Sequence, residues 1–204
     1  DLDFHVNPMP DELVSYVDDD VLADKLSTEF GPTPVVGKWD AAYAIKEGTE
    51  GLFTQGRAEY AEDVREACAK FAIDDPIVNP GVNTLNLQHH PLLKNAVCQA
   101  SNDYMLEHFV DEGIYTSMMV PKWDPEYAVR EIERVGDEEE VVAAYSWFDP
   151  KVPWGAEQFD PVFEALVDND LSLLYCRTKL LIQSLASPRA SRRIRTFVRQ
   201  CITR

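Results

Sequence analysis

Asp3 and His5 stand two residues apart in the opening DLDFHVNP. On a strand, residues two apart leave the same face. A carboxylate oxygen and an imidazole nitrogen would then project side by side, a donor pair that suits zinc or manganese. A charged N-terminal stub with a stray histidine has the same spacing, so the pair alone does not choose between them. His89 and His90 in LQHHP offer further imidazoles, either to a substrate or to a loop leading into a helix. Trp147, followed by Phe148, ends an apolar run where substrate contact and rim packing are both open. His108 falls inside a helical run and reads as a surface or partly buried helix residue. The acidic runs 18–20 and 137–140 lack the alternating carboxylates and turn glycine of a calcium loop. They read as solvated turns.

The elements that must position these groups come from a chain of 204 residues, 45% hydrophobic, with a net charge of -17. That is enough for one sizeable core. The negative charge argues against nucleic acid as a partner, because phosphate repels such a surface. Two sources of the charge are open: a strongly solvated, halophilic-type surface, or an acidic protein with a basic partner. The acids are spread over helix faces and turns, which favours the first. No run of about 18 apolar residues exists, so no membrane span is expected. Cys68, Cys98, Cys176 and Cys201 form no CxxC pair. Together with the lack of a signal-peptide pattern, this points to reduced thiols in a cytoplasmic protein. A small-molecule substrate is the expected partner, with self-association left open.

All 36 acidic residues fall before residue 171, against 11 of the 19 basic ones. Residues 171–204 carry eight basic residues and no acid. Three readings are open for 177–204: a basic arm, a basic amphipathic helix resting on the acidic body, or an out-of-frame translation. The abrupt change favours the last. Ile194, Phe197, Val198 and Cys201 recur at helical spacing, so the segment is expected to form a weakly packed helix.

The body alternates strands and helices. Residues 91–113 have a helical period closed by Gly113, and IYTSMMV (114–120) reads as a buried strand. WDPEYAVREIERVG starts a helix with Asp124 as N-cap and Pro125 at the first position, and Gly136 ends it. VVAAYSWF (141–148) is a second apolar strand, Asp160 and Pro161 start another helix, and LSLLY (171–175) is a further strand. Shorter strands are expected in DLDFHV and near Ile77 and Val78, the latter following the helix EYAEDVREACAKF. Continuous apolar strands alternating with helices predict an α/β fold with about five parallel strands. Residues 19–58 have weak periodicity and Gly and Pro punctuation, and read as a loop-rich insertion.

With these elements in place, DLDFHVNPMPDELVSYVDD resembles the DxDxH opening of the amidohydrolase-related family. Those proteins are metal-dependent hydrolases and decarboxylases similar to aminocarboxymuconate-semialdehyde decarboxylase. QASNDYMLEHFVDEGIYTSMMVPKWDPEYAVREIERVGDEEEVVAAY resembles the family's middle, and FDPVFEALVDNDLSLL its next helix and strand. The resemblance implies a (β/α)8 barrel with a divalent metal, zinc before manganese, at the C-terminal ends of the strands. It assigns only Asp3 and His5, as first-strand ligands; in such a barrel His89 and His90 could face the mouth and Trp147 could touch substrate, with loop and packing roles still open. It implies a hydrolase or decarboxylase acting on a small carboxylated or cyclic substrate. The family's fifth-strand histidine is replaced by LLYC (Leu173 to Cys176), and no histidine follows His108. The expectation is therefore a partial barrel over 1–176, not completed, with 177–204 outside the family. The alternative is a non-catalytic fragment without a competent metal site.

Overall fold

The computed structural model describes residues 4–6, 8, 10–30, 60–80, 90–110, 113–147 and 152–176. Asp3, His89 and the segments 31–59 and 177–204 lie outside the described residues, and so do the side chains of His5, Trp147 and Cys176. The expectations for the tail and for most of 19–58 therefore fall outside them as well.

Five strands form one sheet: β1 (Phe4–Val6), β2 (Ile77–Pro80), β3 (Tyr115–Met119), β4 (Val141–Trp147) and β5 (Ser172–Cys176). Their order is β1-β2-β3-β4-β5, and every adjacent pair is parallel. The helices are α1 (Pro10–Val14), α2 (Asp20–Phe30), α3 (Ala61–Phe71), α4 (Pro91–His108), α5 (Pro125–Val135) and α6 (Asp160–Asp168). The α/β class with parallel strands is as the alternating pattern predicts.

Strand order follows chain order without reversal, so every crossover advances in the same direction. Crossovers between parallel strands are right-handed, which places successive helices on one face of the sheet. The packing agrees: α4 touches α1, α2 and α5, and α5 touches α6. Two apolar clusters fill the space between these helices and the sheet. Val6, Val78, Leu93, Val97 and Phe109 belong to the first. Met118, Ala144, Ile132, Phe159 and Leu166 belong to the second.

Capping explains where the helices start. Asp124 Oδ1 accepts from the Tyr127 amide at 3.0 Å, with Pro125 at the first position. Gly136 follows α5, and a Cβ there would lie 2.5 Å from the Ile132 carbonyl and 2.9 Å from the Asn169 side chain. Only glycine lets the turn after α6 approach that closely.

Two expectations need correction. The start of 19–58 is not loop: Asp20–Phe30 is an 11-residue helix, capped by Asp19 Oδ1, which accepts from the amides of Val21 and Leu22 at 2.9 and 3.0 Å. The helix beginning at Pro91 ends at His108, not at Gly113. Gly113 instead adopts φ +80 in the turn into β3. The helix expected to start at Asp160 and Pro161 does start there, and a 3-10 turn at Glu157–Phe159 runs into it, the Asp160 amide donating to the Glu157 carbonyl.

Candidate functional site

In a sheet wound this way, the C-terminal ends of the strands and the loops after them are where parallel barrels build sites. His5 pairs in register with Asn79 on β2. On β3, Ser117 donates its hydroxyl to Asn79 Oδ1 at 2.6 Å, and both residues are buried. Ser117 aligns with Ala143, and Ala143 with Ser172. Asn79, Ser117, Ala143 and Ser172 thus form one polar or small row that leads back to His5. The neighbouring row of Met118, Ala144 and Leu173 packs under the helices. Because side chains alternate across a strand, the polar row belongs to the opposite face.

The structure separates the candidate residues. His5 lies on β1, and Trp147 closes β4 in register with Cys176 at the end of β5. His90 caps α4: its Nδ1 accepts from the Leu93 amide at 3.2 Å. That bond makes Nδ1 an acceptor and commits one ring nitrogen to the helix start. Among the described residues, no group of three or more His, Cys, Asp or Glu side chains is arranged to hold a metal ion. Asp3 and His5 have donor atoms suited to zinc, but the positions across the sheet from His5 hold an amide, two hydroxyls and a methyl group. A complete centre would have to draw on residues outside those described.

The loop between β3 and α5 is fixed by polar contacts that the spacing alone did not reveal. Asn95 donates to Asp124 Oδ2 at 2.8 Å and accepts from Trp123 Nε1 at 2.7 Å. The Lys94 ammonium lies 4.0 Å from the centre of the Trp123 ring. Two turns further along α4, Asn102 bonds to the Met119 backbone and to Glu131 Oε1. Arg134 holds Glu131 through both oxygens, at 2.6 and 2.9 Å, and reaches Asp103 at 2.7 Å. Asn102 and Asp103 belong to the NDY segment, and Glu131 and Arg134 to the EIER segment. Their contacts join α4, β3 and α5. Cys98 is buried beside them, and its thiol donates to the Met119 carbonyl at 3.1 Å. Burial, and then the charge of Glu131, pushes that thiol well above its usual range. Such a thiol is structural and unreactive.

A second cluster lies at the other end of α4. That helix leaves the C-terminal end of β2 and leads into β3, so His108 is near the N-terminal edge of the sheet. Tyr16 Oη lies 2.7 Å from Glu107 Oε2 and 3.0 Å from His108 Nε2. Burial, with help from the Glu107 hydrogen bond and charge, raises the Tyr16 phenol to about 12. The phenol therefore donates to Glu107 and accepts from the His108 ring. A cavity of about 240 Å³ adjoins them. Three separated chain segments, 12–16, Tyr60 and 104–108, build this cluster, and only His108 stands out by residue type.

No family model matches the chain, and no curated protein matches it.

Proposed function

We propose that the chain carries the first five strands of a metal-dependent (β/α)8 barrel acting as a hydrolase or decarboxylase on a small carboxylated or cyclic substrate. The observation that carries the reading is the strand order. An open doubly wound sheet reverses its order at a switch point, whereas this sheet runs β1-β2-β3-β4-β5 without reversal. Winding in one direction leaves one face free of crossover helices, and closure into a barrel is the common way to bury such a face. The polar row beginning at His5 supports the same reading. Asp3 and His5 would hold the metal, with the remaining ligands supplied from outside the described residues. A bound divalent metal lowers the pKa of a water or polarises a carboxylate. Asn79 and Ser117 would supply a fixed hydrogen-bonding pair beside it. The reading puts the protein in the cytoplasm, in keeping with the free thiols of Cys68 and Cys98.

A second reading rests on β5. Its sequence, Ser-Leu-Leu-Tyr-Cys, has no histidine where the resemblance expects one. On this view the sheet is a scaffold without a competent centre. The purified full chain, loaded with zinc or manganese and offered a panel of small carboxylated and cyclic substrates, separates the two. Metal-dependent hydrolysis or carbon dioxide release, lost in His5→Ala, is expected. Failure with every metal, together with failure to take up metal, supports the scaffold.

A further inference from the structure

We propose that β5 pairs antiparallel, along its outer edge, with the same strand of a second copy of this chain. β5 is the last strand of the sheet, and no sixth strand lies beside it among the described residues. Unpaired N–H and C=O groups on such an edge are a template for another strand. Proteins blunt these edges with lysine, proline, bulges or very short strands. β1, at the other end of the sheet, is blunted: it has three residues, with Asp3 before it and Pro8 after it. β5 carries none of these devices. Leu171 to Cys176 contains no charge and no proline. Its register with β4 runs from Ala143–Ser172 to Trp147–Cys176 without a shift. Leu171, Leu173 and Leu174 are only half-buried. Val167, on the helix α6 that packs against β5, is 62% exposed.

The flanking charges select the partner and the direction. Asp168 and Asp170, both exposed, precede the strand, and Arg177 and Lys179 follow it. In an antiparallel pair the acidic start of one strand lies beside the basic end of the other, at both ends of the interface. A parallel pair would set acid beside acid and base beside base. The pattern is complementary to itself, as a two-fold interface requires. Pairing β5 with β1 of another copy would be head-to-tail and would generate rings or open chains of molecules. The chain's own residues 177–204 are a poorer occupant of the edge. A strand folding straight back onto β5 needs a tight turn, and that segment has no Gly, Asn or Asp to make one.

The test is sedimentation velocity of the purified full chain over a wide concentration range. About 0.15 M salt screens the net charge of -17 on each copy beyond about 8 Å. A reversible monomer–dimer equilibrium is expected. Ser172→Lys, which puts a charge on the edge strand, should leave a monomer with unchanged helical circular dichroism. Arg177→Glu with Lys179→Glu should weaken the dimer about ten-fold by setting acid beside acid. Adding Asp168→Lys and Asp170→Asn to that chain should recover about three-fold or more, which a merely misfolded variant would not do. Asparagine suits position 170 because the backbone there has φ 52. A monomer at every concentration, as when 177–204 covers the edge itself, would overturn the proposal. So would growth beyond the dimer, a dimer indifferent to the charge reversal, or a loss that the compensating pair fails to recover.

Discussion

Asn102 takes the place of a neighbouring strand beside Met119. Its Oδ1 accepts from the Met119 amide at 2.5 Å, and its Nδ2 donates to the Met119 carbonyl at 3.0 Å. The next residue, Val120, donates to Tyr145 on the β4 side. Backbone groups alternate sides along a strand, so those of Met119 face the side of β2. That strand ends at Pro80, which has no N–H to give. A helix side chain thus satisfies the end of β3, where a buried backbone would otherwise stay unpaired.

Asn102→Ala is expected to cost about 2–4 kcal/mol, because it strands the buried Met119 amide, leaves the Met119 carbonyl with only the Cys98 thiol, and removes one contact to Glu131. Asn102→Asp should cost at least as much. It cannot donate to the Met119 carbonyl, and it sets a second carboxylate against Glu131. Urea denaturation, read as a shift in midpoint at unchanged slope, measures both. A change under about 0.5 kcal/mol in either variant would show that the strand end does not depend on this amide.

Glu131 and Arg134 should be coupled. Glu131 is 3% exposed and Arg134 39%, so the carboxylate depends on the guanidinium more than the reverse. Asp103 also meets Arg134, but its own burial outweighs that contact and raises its pKa. A double-mutant cycle with Glu131→Gln and Arg134→Met is expected to give a coupling of about 1–3 kcal/mol. A value near zero would mean that Glu131 is held by Asn102 alone.

His90→Ala should destabilise the chain by about 0.5–2 kcal/mol through loss of the α4 cap, whereas His90→Asn should be near neutral, since asparagine caps as well. If His90 acts only as a cap, His90→Asn also leaves metal uptake and any turnover unchanged. Loss of either in a stable His90→Asn variant would return His90 to the substrate site.

Tyr16 gives a pH dependence with a defined sign. Its folded pKa of about 12 lies above the usual phenol value of about 10. The folded state therefore favours the protonated phenol. This contribution to stability is fully present below pH 10 and is lost as pH rises toward about 12. Alkaline spectrophotometric titration should show one phenol with a midpoint near 12 that disappears in Tyr16→Phe, and that variant should lose stability less steeply above pH 10. An identical titration curve in Tyr16→Phe would contradict this.

The strands were readable because their apolar runs are bounded by Gly, Pro and Asp-Pro helix starts, as around Met118 and Ala144. The α2 helix was not. Among its described side chains only Leu26 is fully buried, and Val21 is 75% exposed, so no apolar stripe marks it. Its cap, Asp19, was hidden in an acidic run. His90 showed its residue type but not its role, since capping depends on the path of the chain at the Leu93 amide. Asn102 and Glu131 stood out only through resemblance. Their contact spans 29 residues and exists only when α4 and α5 lie side by side. The Tyr16–His108 contact spans 92 residues and carries no local signal at all.

Zinc titration of the purified full chain, followed by competition with a chromophoric chelator and repeated with Asp3→Ala and His5→Ala, tests the central claim most directly. One zinc per chain is expected, held against the chelator and released in each variant, with the helical circular dichroism unchanged. Zinc held equally well by both variants, or not held by the parent chain, would contradict it.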